Sequence, residues 1–564
     1  MRKYFQSFAG QLILLTAFAA VMVAVWMLPL VLMGQVYDIY PLLLARNYAL
    51  SGTFSLTDEL GRYLAPHLLA GSGLPATADG RLSAVFLAWL SPFIGWTNFL
   101  GWGFVAAVLM AIALIAWWLT VIKLFHYRAA WISTAIIAFM PLYWRQAVWL
   151  NSYNFAILFL FFSFAAFVHL RERNSTFAII VSGLLFGLSV ASKDAFLIFL
   201  PWYTVAYAWT YRGAWKKATS GIVLFLFCTG VVYLVPYIGD IRNLGYPVNQ
   251  NLAHFWPGSE DFEDGVYLHL YPDPYTYFFN REAYDAKLLA EYETFTPLQK
   301  LRQQKIFINF NVGKPGIAFR LLNGLWLFAG TLPSLFHQET VGGVVLWLFI
   351  LPGFYFCWKK KTYLAILLLG LAVSSELIMR FGLHYARDHL MDYGWILALF
   401  AAVGVAGIAD VCSLSWKKVG TRSIAAVILL FLCMQLLQAN RSIFARRYSR
   451  TFVPQAMELA EAIDSLPDDA VVALGVGASR VEQLAQMSHR TVVPFGEGTL
   501  GQLLAKGMIG DAFEVYGVTH VYGYSEATLM EMNAAVPSVI ALKDPEPRPV
   551  SVSPALNYLL HLIR

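Results

Sequence analysis

Apolar stretches long enough to cross a lipid bilayer recur along this 564-residue chain as far as about residue 440, and that property constrains the fold more than any motif. A hydrocarbon core of ~30 Å is crossed by about 20 helical residues rising 1.5 Å each. Residues 9–33 satisfy that length. Only 13% of the chain is charged against 59% hydrophobic, a balance that lipid accommodates and a soluble core does not. The sequence therefore predicts a polytopic α-helical membrane protein. Residues 9–33 lack a small-residue cleavage site, so they read as an uncleaved helix rather than a signal peptide.

The net charge of +6 sits in short loops between the apolar runs, which excludes a nucleic-acid surface and sets an orientation. With Arg2 and Lys3 in the cytoplasm, the basic clusters at 123–128, 171–173, 212–217, 359–361 and 417–422 fall on the same side. The spans are then 9–33, 98–122, 129–146, 152–170, 176–192, 195–211, 218–237, 342–357, 362–380, 391–411 and 422–438. This gives about eleven transmembrane helices, the N-terminus inside and the C-terminus outside. Residues 82–96, interrupted by Ser91 and Pro92, are too short for a comfortable span and read as an interfacial or re-entrant segment. Cys228, Cys357, Cys412 and Cys433 lie in apolar runs or beside basic loops, where neither a disulfide framework nor a zinc cluster is expected.

Two outer loops and a tail remain. The first loop, 34–97, opens with a helix that Asp38 can cap, with Pro41 in its first turn and Gly52 after its end. The second, 238–341, carries the acidic patch SEDFEDG and an amphipathic stretch around PLQKLRQQKIFINF suited to the membrane surface. Residues 1–440 thus form the membrane module, and 441–564 form a small extracytoplasmic α/β domain. The tail alternates a helix in AMELAEAIDSL, a strand in AVVALG, a helix in SRVEQLAQMS, strands in RTVVPF and THVYGY, and a helix in ATLMEMNAA. Its GVG, lacking a full dinucleotide fingerprint, reads as a glycine turn.

A carboxylate at the mouth of a membrane bundle is expensive unless solvated or paired, which singles out Asp38. Two roles stay open for it, N-cap of the next helix and chemistry on a lipid-borne substrate, and they can coexist. Lys193 can pair with Asp194 or snorkel to the interface, Arg242 can pair with Asp240, and Arg387 with Asp388. His384 and His389 flank Arg387 without a third ligand, so no metal site is assigned.

The order of these elements resembles the GT-C superfamily of lipid-dependent glycosyltransferases, which includes bacterial aminoarabinose transferases and protein O-mannosyltransferases. An outer loop opening with an acid and running into an LARN helix follows the first span. GLSVASKDAFLIFLPW is similar to the family's glycine, lysine and proline pattern, VPYIGDIRNLGYPVNQN to its element after the seventh span, and LHYARDHLMDYGWILAL to its arginine element. The resemblance covers roughly residues 1–440. It implies Asp38 as the catalytic acid of the first loop and Lys193, Arg242 and Arg387 on the donor phosphate, with Asn243 beside Arg242; Arg46, Asn151, Asn243 and Tyr37 are further candidate substrate contacts. One departure stands out: PLYWRQAVWLNSYN offers Asn151 and Asn154 where the family often has a second acid, which puts a metal-bridging pair in doubt. Asp388 and His389 likewise replace the usual residues after the family's arginine.

The chemistry that the resemblance implies needs a base for the acceptor proton and cations to neutralise a departing phosphate as the sugar gains oxocarbenium character. The expectation is an inverting transfer from a polyprenyl-phosphate-linked sugar to a lipid, glycan or protein acceptor, on the outer face of a bacterial inner membrane. No cofactor is required by the pattern, and a divalent cation stays open. Two other readings share the topology: a lipid-linked sugar flippase or transporter without covalent chemistry, and a glycan ligase or polymerase using a diphosphate-linked oligosaccharide. No internal repeat of the kind common in transporters is visible.

Overall fold

The computed structural model describes residues 7–33, 40–52, 54, 62–69, 80–172, 175–244, 335–336, 341–382, 391–415, 421–447, 452–475, 478–505 and 507–542. The membrane module is helical: α1 Phe8–Met33, α2 Tyr40–Ser51, α3 Arg81–Ile94, α4 Phe99–Leu124, α5 Tyr127–Phe139, α6 Pro141–Val148, α7 Ser152–Leu170 and α8 Ser175–Ser192. After a 3-10 turn over Asp194–Phe199 come α9 Leu200–Thr210, α10 Trp215–Leu234, α11 Ile238–Leu244, α12 Val344–Gly382, α13 Gly394–Ser415 and α14 Thr421–Arg447. The amphipathic stretch anticipated around 297–310, the acidic patch at 259–265 and most of the second outer loop lie outside the described residues.

Among the described residues, seven helical segments are long and apolar enough to cross a membrane: Phe8–Leu28, Phe99–Leu124, Ser152–Leu170, Ser175–Ser192, Trp215–Tyr237, Gly394–Cys412 and Ser423–Asn440. The chain is a multi-pass membrane protein; these seven segments do not establish the anticipated count of about eleven, and two of the anticipated runs are interrupted. The run 129–146 breaks at Met140, whose extended backbone (φ −64°, ψ 127°) precedes Pro141 at the start of α6. A residue before proline is pushed out of the helical region, and proline itself fits the first turn of the helix that follows. The run 195–211 begins as the 3-10 turn before α9. Runs 342–357 and 362–380 form the two arms of α12, which kinks between them at Lys361 (φ −147°, ψ 59°), in the basic cluster expected to separate them. The 14-residue α3 is too short to span, and its Trp89 and Phe93 are 71% and 82% exposed, as an interfacial segment facing lipid requires.

Packing follows from small residues at close crossings. A Cβ on Gly353 would strike the Phe400 carbonyl, and one on Gly404 the Phe349 carbonyl, so α12 and α13 approach backbone to backbone. Trp26 Nε1 donates to Ala138 O at 3.0 Å, tying α1 to α5 inside the bundle. At one end Lys123 pairs with Glu172 (2.7 Å), Arg128 with Asp410 (3.2 Å), and Lys361 donates to Leu124 O. Trp209 stacks on Tyr363 there at 4.3 Å. The basic loops around 123, 171, 212 and 360 therefore share one end, as the charge pattern anticipates.

The tail forms α15 Phe452–Asp464, β1 Val471–Leu474, α16 Ala478–Met487, β2 Thr491–Pro494, α17 Glu497–Ala505, α18 Ile509–Tyr516, β3 His520–Tyr522, α19 Glu526–Ala535 and β4 Ile540–Ala541. The four strands make a parallel sheet in the order β2-β1-β3-β4, with Val472 opposite both Val492 and His520. β1 is buried on both faces, which is why its sequence is a continuous apolar run. Helices α17 and α18 and strand β4 are additions to the sequence reading. Tyr63, in the first outer loop, pairs antiparallel with Val492 through reciprocal hydrogen bonds of 2.9 and 3.0 Å. The loop thus covers the β2 edge, which would otherwise present unpaired backbone groups.

Candidate active site at the end opposite the basic loops

Four chain segments meet where α8 and α10 finish and α3 and α7 begin. α8 stops at Ser192 because Lys193 is extended (φ −152°, ψ 106°), and the chain then reverses through the 3-10 turn. The Lys193 amide still closes on Ser189 O at 3.0 Å, and its ammonium lies 4.9 Å from the Tyr153 ring centre, at the start of α7. Gly80, at φ +85°, precedes α3 and packs so closely that a Cβ there would sit 2.9 Å from Ser152 Cβ and 3.2 Å from Ser192 O. Only glycine tolerates both the left-handed backbone and that approach. The consequence is that Arg81 enters the cluster fully buried, its guanidinium 4.6 Å from the Tyr237 ring centre and 5.2 Å from that of Phe54.

A guanidinium stacked between aromatic rings keeps its charge while its hydrogen-bond fork is held in a fixed plane. Beside it Asp194 is 2% exposed, so two cations and a carboxylate are collected in a partly desolvated corner. In low dielectric such charges act on a ligand more strongly than at an open surface. The Arg81 contribution was missed in the sequence. Its signal was a Gly-Arg pair opening an otherwise apolar helix, whose meaning depends on contact with Ser152 and Ser192.

The neighbouring segment carries a second polar group. Asn151 caps α7 in a reciprocal box with Asn154, its Oδ1 accepting from Tyr153 N at 2.9 Å, and Asn154 Nδ2 donates to Gln146 O at 2.7 Å. The Asn151 carboxamide also donates to Gln146 Oε1, so both of its ends are engaged in local structure. Arg145 lies 4.8 Å from the Trp149 ring centre, and Tyr143 Oη donates to Met391 O at 3.1 Å, which brings the start of α13 to this end. Asp392 is fully buried next to Tyr393, whose hydroxyl donates to Glu376.

The remaining expected residues divide. Arg242 is exposed on α11, directly after Tyr237, and Asn243 follows it in the same helix. Arg46 is buried at 5% and donates from Nη1 to Ala485 O (2.8 Å) and Gln486 O (2.9 Å), so it joins α2 to the end of α16. Burial pulls its guanidinium down to about 10, partly opposed by Asp464. Asp38, Tyr37, Arg387, His384 and His389 lie outside the described residues. Among the described residues, no group of three or more His, Cys, Asp or Glu side chains is gathered to hold a metal ion.

Solved structures place this architecture in a class. The archaeal oligosaccharyltransferase AglB from Archaeoglobus fulgidus, in complex with an inhibitory peptide and a dolichol-phosphate, superposes with a TM-score of 0.56 at 14% identity, over 92% of this chain and 69% of that one. The same enzyme in complex with Zn and sulfate gives 0.55 at 13% identity, over 90% and 67%. The chain shares the fold of these solved structures, in agreement with the GT-C-like architecture expected from the sequence. Among the individual proteins it is similar to ArnT from Cupriavidus metallidurans bound to undecaprenyl phosphate, with a TM-score of 0.52 at 10% identity, over 95% of this chain and 90% of that one. No protein-family model matches the sequence, and no curated protein matches it.

Proposed function

We propose that this protein is a glycosyltransferase that moves a sugar from a polyprenyl-phosphate donor to a lipid, glycan or protein acceptor. Transfer takes place at the end of the bundle where Arg81 and Lys193 meet. The convergence of these two cations carries the reading, in a fold whose similar structures hold dolichol-phosphate and undecaprenyl phosphate. Asp38 takes the proton from the acceptor hydroxyl or amine. The freed electron pair attacks the anomeric carbon, the carbon–oxygen bond to the phosphate breaks, and the sugar inverts. Charge grows on the phosphate oxygens as that bond lengthens, and cations fixed in place beforehand stabilise it without reorganisation. Arg81, Lys193, Arg242 and Arg387 supply that charge, arginine in bidentate form and lysine as a point charge. A divalent cation near Asp38 is compatible with this scheme.

Residues 1–440 act as the catalytic module and 441–564 as an extracytoplasmic domain that holds the first loop through Arg46 and Tyr63. The setting is a bacterial inner membrane with the basic loops in the cytoplasm. The test is reconstitution of purified protein in liposomes with labelled polyprenyl-phosphate sugars and a membrane-extract acceptor, comparing wild type with Asp38→Asn. Transfer is expected to vanish in the variant at unchanged expression, and full activity there would overturn the base assignment. The likeness to an oligosaccharyltransferase favours one second reading, an oligosaccharide donor in place of a single sugar, and supplying both a polyprenyl-phosphate sugar and a diphosphate-linked oligosaccharide in the same assay separates them.

A further inference from the structure

At the opposite, basic end of the bundle a half-open cavity of ≈ 140 Å³ runs between α4, α7, α9, the second half of α12, and α13. Its walls are apolar for most of their length, with Phe164, Phe167, Leu368 and Trp395 among them. Along α12 it extends from Leu371 to Tyr363, about 12 Å at 1.5 Å per residue. The polar lining groups are unequal. Thr120 and Thr210 spend their hydroxyls on Ala116 O and Ala206 O in their own helices, at 3.0 and 2.7 Å. Tyr363 Oη is buried with no hydrogen-bond partner. It is held there by the stack of its ring on Trp209, which in turn carries Arg212 at 5.0 Å. Arg171, also in the lining, lies 5.8 Å from the Phe167 ring centre and forms no ion pair among the described residues. Lys123 is answered by Glu172 and Arg128 by Asp410, whereas Arg171 is the cation within the lining itself, with Arg212 behind Trp209.

We infer that this cavity binds one anionic glycerophospholipid of the adjacent leaflet, an acyl chain along the apolar walls and the phosphate on Arg171 and the Tyr363 hydroxyl. An unpaired buried hydroxyl costs free energy, and a phosphate oxygen would satisfy it while giving Arg171 a charge-assisted partner. Basic side chains at a membrane face draw anionic lipids from the leaflet they touch. The site lies at the other end of the bundle from Arg81 and Lys193, so it stands whether or not the transfer reaction is correctly assigned.

Native mass spectrometry of the full-length protein in neutral-detergent micelles tests this, with phosphatidylglycerol and phosphatidylcholine of identical chains supplied together. Wild type is expected to retain phosphatidylglycerol about tenfold over phosphatidylcholine, the effect of one charge-assisted bond. Arg171→Gln should bring that ratio close to one. Tyr363→Phe keeps the stack on Trp209 and should lower the ratio without touching the fold, while Ala206→Trp fills the cavity and should reduce retention of both lipids. Equal retention by wild type, an unchanged ratio in Arg171→Gln, or a co-purified polyprenyl phosphate in place of a phospholipid would each overturn the inference.

Discussion

Arg81 and Lys193 show how differently two cations of one cluster are written into a sequence. Lys193 stands in a recognisable stretch, GLSVASKDAFLIFLPW, and its place at the end of α8 follows from the extended backbone that stops the helix. Arg81 gains its place through Gly80, which touches residues 152 and 192, and no local pattern encodes that contact. If both cations stabilise the departing phosphate, Lys193→Ala and Arg81→Gln should each lower the transfer rate roughly 10²- to 10³-fold, the usual loss when one positioned donor is removed. Arg81→Lys should recover little, because an ammonium cannot reproduce a stacked planar fork. Initial rates at saturating donor, alongside thermal unfolding to verify the fold, decide this; rates within a few-fold of wild type would remove these residues from the phosphate site. Asn151 teaches the converse: its carboxamide caps α7, a role that a sequence pattern of Asn-x-x-Asn states on its own terms.

Elements meet through side chains that satisfy the ends of other elements. Arg46 donates to the carbonyls of Ala485 and Gln486, in the last turn of α16, where four carbonyls lack intrahelical partners and the helix dipole favours a cation. Arg46→Met should therefore cost about 1–3 kcal/mol by leaving those acceptors buried without a donor. The loss should appear as faster hydrogen exchange in α2 and α16 together; exchange rising in neither would show that the contact contributes nothing. A second expectation belongs to β3. Burial lowers the His520 imidazole below its ordinary 6.5, so between its folded value and 6.5 the unfolded tail binds more protons than the folded one. Sheet stability is then full above pH 6.5 and declines as pH falls through that window. Hydrogen exchange of β1 and β3, corrected for its intrinsic pH dependence, should show increased opening at pH 5.5 relative to pH 7.5, and His520→Phe should flatten the difference. The helices and strands of this tail were legible because amphipathic period and apolar runs are local, whereas the Tyr63 pairing on β2 was not, since it joins segments over 400 residues apart and involves a single bridge.

For the whole molecule, the gathering of loops near 123, 171, 212 and 360 at one end gives the positive-inside bias a physical surface. Phosphatase fused after Gly213 should be silent and phosphatase appended after Arg564 active, with green fluorescent protein giving the reverse; the opposite pattern would invert the membrane orientation. The sequence by itself determined that the chain is a multi-pass helical membrane protein, which runs are apolar enough to cross, that basic loops lie together, and the order of most tail elements. Each of these depends on length, hydropathy or period within one segment, quantities that solvent and lipid impose on a chain before it packs. Tertiary structure alone decided where an apolar run breaks, as at Met140, and which distant residues converge, as Arg81 with Tyr237 and Arg46 with the end of α16. Those outcomes depend on backbone approach and on the partners available to buried polar groups, and such terms exist only once the helices are packed.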